Sequence, residues 1–116
     1  MFKIEGTKIM LTRGDSMYAN IIMARDGETY TPVQGDSVRF ALKHADMTPN
    51  KSSFRDQKPI LVKNIPLDTM QLKIEPEDTK GFKFGSYVYD IQITLSNGDV
   101  DTFIADASFE LLPEVD

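Results

Sequence analysis

The 116-residue chain carries 13 lysine and arginine residues against 18 aspartate and glutamate residues, and the resulting net charge of −5 disfavours nucleic acid as a partner. With 41% hydrophobic residues and no cysteine, the composition is that of an ordinary globular protein and excludes disulfides and thiolate metal sites. The length predicts a single domain, residues 1–116, and no apolar run approaches the ~20 residues of a membrane-spanning helix. We therefore expect no membrane association and, because the first residues lack a signal-peptide pattern, synthesis in the cytoplasm.

Short strands separated by turn residues are predicted over the first two thirds of the chain. One or two strands, broken by Gly6, are predicted at 2–12, and further strands at 16–24, 29–31, 37–44, 60–63 and 70–75. The segment Ser16–Ala24 is predicted as a central strand, because both of its faces carry apolar side chains. Asp26-Gly27 predicts a hairpin turn after it, so that the first strands follow one another as a meander.

Two segments differ from this strand pattern. Residues 45–59 have little apolar content, and a loop of this length without structure tends to be functional or disordered, so we predict a mobile surface there. Residues 76–81 have proline near the start, acidic residues in the first turn and glycine at the end, which predicts one short helical turn.

The clearest pattern lies in the last third of the chain, between Ser86 and Ala105. Large apolar residues occupy the odd positions from Tyr87 to Leu95, and Asn97-Gly98 favours a two-residue type I′ turn. A last strand follows at 108–112. The sequence therefore predicts an all-β fold, a sandwich or a partly open barrel, and we favour an immunoglobulin-like β-sandwich of seven to nine short antiparallel strands with one helical turn near 76–81.

No residue pattern indicates catalysis, and we expect no catalytic, cofactor-binding or metal-binding residues and no enzyme. His44 is the single histidine, and no Gly-x-Ser-x-Gly elbow accompanies it. Asp99 and Asp101 have the spacing of calcium ligands, but the span continues as a strand and favours a hairpin turn. Arg13-Gly14-Asp15 spells an integrin-type tripeptide, which a turn before a strand explains equally well.

Aromatic and basic side chains leave two binding hypotheses open. Most aromatic residues fall on core-facing strand positions, but Tyr30 and Phe54 are candidates for exposed platforms that stack on sugars. A local basic patch for nucleic acid binding is conceivable in the middle third of the chain, although a solvated loop with its flanking strands is the favoured interpretation. Its members are Lys43, His44, Lys51, Arg55, Lys58 and Lys63.

Several motifs together resemble a pattern in small phage and prophage proteins of Gram-positive bacteria. In that pattern an Asp-Thr pair precedes a Gly-x-Tyr-x-Tyr-Asp-Ile-Gln strand, a Gly-Asp-Val turn and a closing strand near Pro-Glu-Val. The matching segments are Asp78-Thr79, Gly85–Gln92, Gly98–Val100 and Pro113–Val115, with Leu11–Asp15 and Gly35–Phe40 nearer the N-terminus. These proteins are similar to the amino-terminal β-sandwich of phage baseplate upper proteins.

The resemblance implies a non-enzymatic structural protein of a phage or prophage virion, associated with the tail or baseplate. Its partners would be other phage structural proteins and further copies of the chain, joined through sheet edges and the 45–59 loop. The alternative function is a β-sandwich that recognises carbohydrate or a host surface.

Overall fold

The computed structural model of the protein describes residues 2–25, 28–44 and 59–113, which form ten strands and one short helix. The elements in chain order are β1 (Phe2–Glu5), β2 (Lys8–Thr12), β3 (Met17–Asn20), β4 (Met23–Arg25), β5 (Glu28–Tyr30), β6 (Ser37–His44), β7 (Leu61–Ile65), β8 (Gln71–Ile74), α1 (Pro76–Thr79), β9 (Gly85–Thr94) and β10 (Val100–Leu112).

A six-stranded sheet forms the larger layer, with the order β1-β2-β10-β9-β6-β7. Two small sheets, β3-β8 and β4-β5, make up the rest of the strand structure in the described ranges. Neighbouring strands are antiparallel except for β2 and β10, which run parallel with Ile9 beside Phe109. The large sheet thus brings the N-terminal hairpin against the last strand.

The hydrophobic core joins the large sheet to the small sheets. Along β9 the core side carries the alternating apolar residues that the sequence pattern predicts, from Tyr87 to Ile93. The ring of Phe40 on β6 lies 5.4 Å from that of Tyr89 and 6.4 Å from that of Phe109, centroid to centroid. Fully buried side chains of β3 and β8 complete the same cluster. The predicted all-β, sandwich-like fold is confirmed.

The structure departs from the predicted strand arrangement in three respects. The described residues contain ten strands rather than seven to nine, and one pair of them is parallel. The prediction of one central strand at Ser16–Ala24 is wrong, because the chain forms two short strands there, β3 and β4, in different small sheets. Tyr18 and Ile22 are exposed, so the second apolar face of this segment is not covered. The hairpin predicted after this segment is present, because β4 pairs antiparallel with β5, but the meander does not continue to β6, which lies between β9 and β7 in the large sheet.

The turn between β9 and β10 also differs from the two-residue type I′ turn. The amide of Leu95 donates to the carbonyl of Asp99 at 2.7 Å, and the amide of Gly98 donates to the carbonyl of Leu95 at 2.8 Å. Gly98 has φ +93°, whereas Asn97 is not in the positive-φ region. The loop is thus the three-residue form, in which glycine takes the left-handed position after the turn.

The short helix is confirmed at Pro76–Thr79. The amide of Glu75 donates to Asp78 Oδ2 at 2.8 Å, so an acidic side chain of the first turn satisfies a backbone donor at the helix start. Of the predicted 45–59 loop, only Pro59 falls within the described residues.

Candidate functional site: an open sheet edge and an apolar cavity

The edge strand β1 is exposed along its whole length. It is the last strand of the large sheet, and among the described residues it pairs only with β2. Phe2 and Ile4 stand directly opposite the buried Leu11 and Ile9, so their side chains lie on the core side of the sheet. They are nevertheless 39% and 41% exposed. The apolar face of the sheet therefore continues beyond the covered core onto an open edge.

A cavity of about 250 Å³ lies beside this edge, next to the turn between β1 and β2. Its walls include the buried side chains of Leu72 and Ile91 and, nearer β1, Ile4 and Gly6. Ile22 also lines the cavity and is 83% exposed, which places it at the mouth. The result is an apolar hollow that opens next to the outer edge of β1.

The opposite edge of the sheet, β7, is protected by a charge. Lys63 stands opposite the buried Phe40, so its side chain lies on the core side of the sheet. Its Nζ lies 3.0 Å from Asp78 Oδ2 of α1. Inward-pointing charged side chains on an edge strand are a known barrier to the addition of a further strand. The two edges therefore differ, and β1 is the accessible one.

The reverse face of the large sheet contains a buried ion pair. Lys43 Nζ and Asp90 Oδ2 are 2.7 Å apart, and the two side chains are only 7% and 4% exposed. The other carboxylate oxygen of Asp90 accepts the amide of Asp106 at 2.8 Å. Asp106 has φ +51° and lies in the irregular part of β10. The polar residue at the centre of β9 thus joins three strands and has a structural role.

The Arg13-Gly14-Asp15 tripeptide is held against the rest of the domain. The guanidinium carbon of Arg13 lies 4.2 Å from the ring centroid of Phe84, and Nη1 donates to the carbonyl of Phe82 at 3.2 Å. The amide of Gly14 donates to the hydroxyl of the fully buried Thr79 at 3.1 Å. Arg13 and Gly14 therefore contact other parts of the chain, which does not suit a freely presented recognition loop.

Tyr30, a predicted sugar platform, is half-buried. Its hydroxyl donates to Asp36 Oδ2 at 2.7 Å, and the amide of Val33 donates to the same oxygen at 3.0 Å. Both hydrogen bonds lower the pKa of Asp36 below its usual 3.8, and the bond from the Val33 amide has the larger effect. The Tyr30 ring packs against the core, so it stabilises the fold. Phe54, the other candidate, lies outside the described residues.

Tyr87 and Tyr89 are packing anchors with satisfied hydroxyl groups. Tyr87 donates to the carbonyl of Lys83 at 2.6 Å, and Tyr89 donates to the carbonyl of Thr7 in the turn after β1. Burial raises the pKa of Tyr89 to about 12, and burial also raises that of Tyr87. Tyr89 therefore fixes the β1-β2 hairpin to the centre of the sheet.

The polar residues considered for metal binding form a turn. Asn97 Oδ1 accepts the amide of Asp99 at 2.9 Å, and Asn97 Nδ2 donates to Asp99 Oδ2 at 3.3 Å. Within residues 2–25, 28–44 and 59–113, no three histidine, cysteine or acidic side chains come together as a metal site. The interpretation of this segment as a hairpin turn fits these contacts.

The predicted basic patch is divided between different environments. Lys43 and Lys63 are each in an ion pair on opposite faces of the sheet. His44 is exposed at the end of β6, with its ring 5.7 Å from that of Tyr87. The remaining members, Lys51, Arg55 and Lys58, lie outside the described residues.

Sequence reasoning did not identify the open edge, because strand order cannot be read from alternation alone. The pattern of β1, apolar at Phe2 and Ile4 and charged at Lys3 and Glu5, resembles that of any strand with one wet face. Adjacent Ile21 and Ile22 carried a weak signal, since one of two consecutive apolar residues must face away from a single core.

These features define the class of the protein as an all-β, sandwich-like fold whose large sheet, in the described residues, has an open edge at β1. No family model, curated protein or solved structure matches the chain. Among the helices of the described residues, none is long and apolar enough to cross a membrane.

Proposed function

We propose that the protein is a non-enzymatic structural component of a phage or prophage virion, associated with the tail or baseplate. It assembles with virion proteins, further copies of itself included, through the open β1 edge. The motifs around Asp78-Thr79 and Gly85–Gln92, which resemble those of phage proteins, support the virion assignment. The observation that carries the assembly role is the open outer edge of β1, with Phe2 and Ile4 exposed.

Strand addition explains how such an edge binds a partner. An incoming strand forms backbone hydrogen bonds with the edge, and pockets beside the edge select its side chains. Here the cavity next to Ile4 and Ile22 supplies an apolar pocket on the core side of the sheet. Two buried acidic side chains have structural contacts, Asp90 with Lys43 and Asp36 with Tyr30. Glycan recognition has less support, because Tyr30 is half-buried and hydrogen-bonded.

Mass spectrometry of purified virions tests this function. The chain should be present in a fixed ratio to the tail proteins, and the Ile4→Asp variant should be lost from particles although the infected cell contains it. Val62→Asp is the matched control, since Val62 is 46% exposed on the opposite edge strand β7, and it should be incorporated normally. Virions that lack the wild-type chain would contradict the virion role. Equal incorporation of both variants would contradict the role of the β1 edge.

A further inference from the structure

The backbone groups of Ile4 point toward the open edge. Gly6 has φ +60° and, with Thr7, forms the two-residue turn between the paired residues Glu5 and Lys8. Residues that flank such a turn form a hydrogen-bonded pair, and bonded and non-bonded pairs alternate along an antiparallel ladder. Glu5 and Lys3 therefore direct their N–H and C=O groups to β2. Those of Ile4 face away from β2 and are oriented toward an incoming strand.

The charges on β1 are complementary to those of a second β1 strand that runs antiparallel to it. Lys3 Nζ lies 2.8 Å from Glu5 Oε1, and the two side chains are 64% and 59% exposed on the outer face. If an antiparallel second β1 places its Ile4 opposite Ile4, its Glu5 stands opposite Lys3 and its Lys3 opposite Glu5. Opposite charges directly across an antiparallel pair are favourable, so two identical β1 strands are complementary in charge.

The same register fills the mouth of the cavity. It sets Phe2 of the second copy opposite Gly6, which has no side chain and lines the cavity. Phe2 and Ile4 share the core side of the sheet, so the incoming ring lies on the side where the hollow opens. Two-fold symmetry repeats this contact with the first copy's Phe2. Aromatic side chains buried in such pockets supply much of the energy of protein interfaces.

We propose that the partner strand at the β1 edge is β1 of a second copy, paired antiparallel across a two-fold axis at Ile4. The two large sheets then become one continuous twelve-stranded sheet. This inference rests on the proposed assembly role of the β1 edge and names its occupant. Four residues on each side make a small contact, so we expect a weak dimer whose population rises with concentration.

Charge reversal tests the register. Lys3→Glu leaves only acidic charges on β1, and Glu5→Lys leaves only basic ones, so each variant alone should dimerise at least about tenfold more weakly. An equimolar mixture of the two should dimerise again, because every acidic residue then faces a basic one. Sedimentation velocity over a range of concentrations measures both effects. Lys73→Glu, in the exposed Lys73–Glu75 pair of 3.6 Å, is the matched control and should dimerise like the wild type.

Cross-linking gives a second readout that does not depend on charge. Ile4→Cys introduces the only cysteine of the chain. Hydrogen-bonded residues across an antiparallel pair have Cα atoms about 5.5 Å apart, within the range of a disulfide. Mild oxidation should give a covalent dimer for Ile4→Cys and a monomer for Val62→Cys. A chain that stays monomeric up to millimolar concentration overturns the proposal, and so does a mixture of charge variants that fails to associate. If the wild-type chain stays monomeric in solution but is found in virions, the proposed function stands and only the self-pairing is wrong.

Discussion

Removing the charge of Asp90 should destabilise the protein strongly. Asp90→Asn keeps the shape of the side chain and an oxygen that can accept the amide of Asp106, which Asp90 accepts at 2.8 Å in the wild type. It removes the negative charge 2.7 Å from Lys43 Nζ. The variant therefore isolates one effect, an ammonium group left buried without its carboxylate.

The expected magnitude follows from the burial of the pair. The side chains of Lys43 and Asp90 are 7% and 4% exposed, so water cannot take the place of the missing partner without a structural change. Breaking a buried ion pair by removing one member costs about 3–5 kcal/mol. A domain of this size is stable by roughly 5–15 kcal/mol, so the variant should lose a large part of its stability. Asp90→Ala should lose roughly 1–3 kcal/mol more, because the Asp106 amide then lacks its acceptor.

Urea denaturation followed by circular dichroism measures these losses. The double variant Lys43→Met/Asp90→Asn removes both charges and keeps the acceptor for Asp106, so it should recover to within about 1–2 kcal/mol of the wild type. Lys73→Met provides a matched control in an exposed ion pair whose side chains are 53% and 43% exposed. It should cost less than about 1 kcal/mol.

Two results would refute this reasoning. An Asp90→Asn variant that loses no more stability than Lys73→Met would show that the pair is hydrated and not buried. A double variant as unstable as the sum of its single changes would show that the two residues act independently.

Three further predictions follow from individual contacts. The pKa of Asp36 in the folded chain is lower than its value of 3.8 in the unfolded chain. The free energy of unfolding should therefore decrease as the pH drops from 3.8 to the folded-state pKa. Urea denaturation midpoints measured from pH 5 to pH 2 should show that the Asp36→Asn variant lacks this contribution to the loss of stability in acid. Tyr89 ionises near pH 10 when unfolded but at about 12 when folded, so stability should fall between these values, and Tyr89→Phe should lack that loss. Gly35→Ala should cost about 1–3 kcal/mol in thermal or urea unfolding, because Gly35 has φ +102° and an added Cβ would lie 3.0 Å from Ser96 Cβ. Gly81→Ala meets no atom within 4 Å and, as the control, should cost less.

Local patterns predicted the elements of the fold well. The alternation correctly placed Tyr87, Tyr89, Ile91 and Ile93 on the core side of β9, and the proline and acidic residues near Pro76 identified the short helix. These features depend on neighbours in the sequence, which the sequence shows directly. The 16–24 segment was misread because two apolar faces were taken as burial on both sides, whereas Tyr18 and Ile22 are exposed.

The candidate site could not be predicted in the same way. β1 is an edge because β2 pairs with β10 on its other side, about a hundred residues later in the chain. Lys43 and Asp90 likewise meet only after β6 and β9 are paired. Separately, each of these residues looks like a solvated charge on a wet strand face. Strand order is a global property, so sequence periodicity does not reveal which edge is open.

The parallel ladder between β2 and β10 delays the completion of the sheet during folding. Ile9 pairs with Phe109, and the difference of 109 − 9 = 100 positions makes this one of the most distant contacts in the chain. Contacts of such long range form slowly, and an isolated two-stranded hairpin such as β1-β2 is at best marginally stable in water. The β1-β2 hairpin is therefore expected to dock only after β9 and β10 have paired. An incomplete chain lacks a stable β1 edge, so self-association through that edge is restricted to molecules that have finished folding.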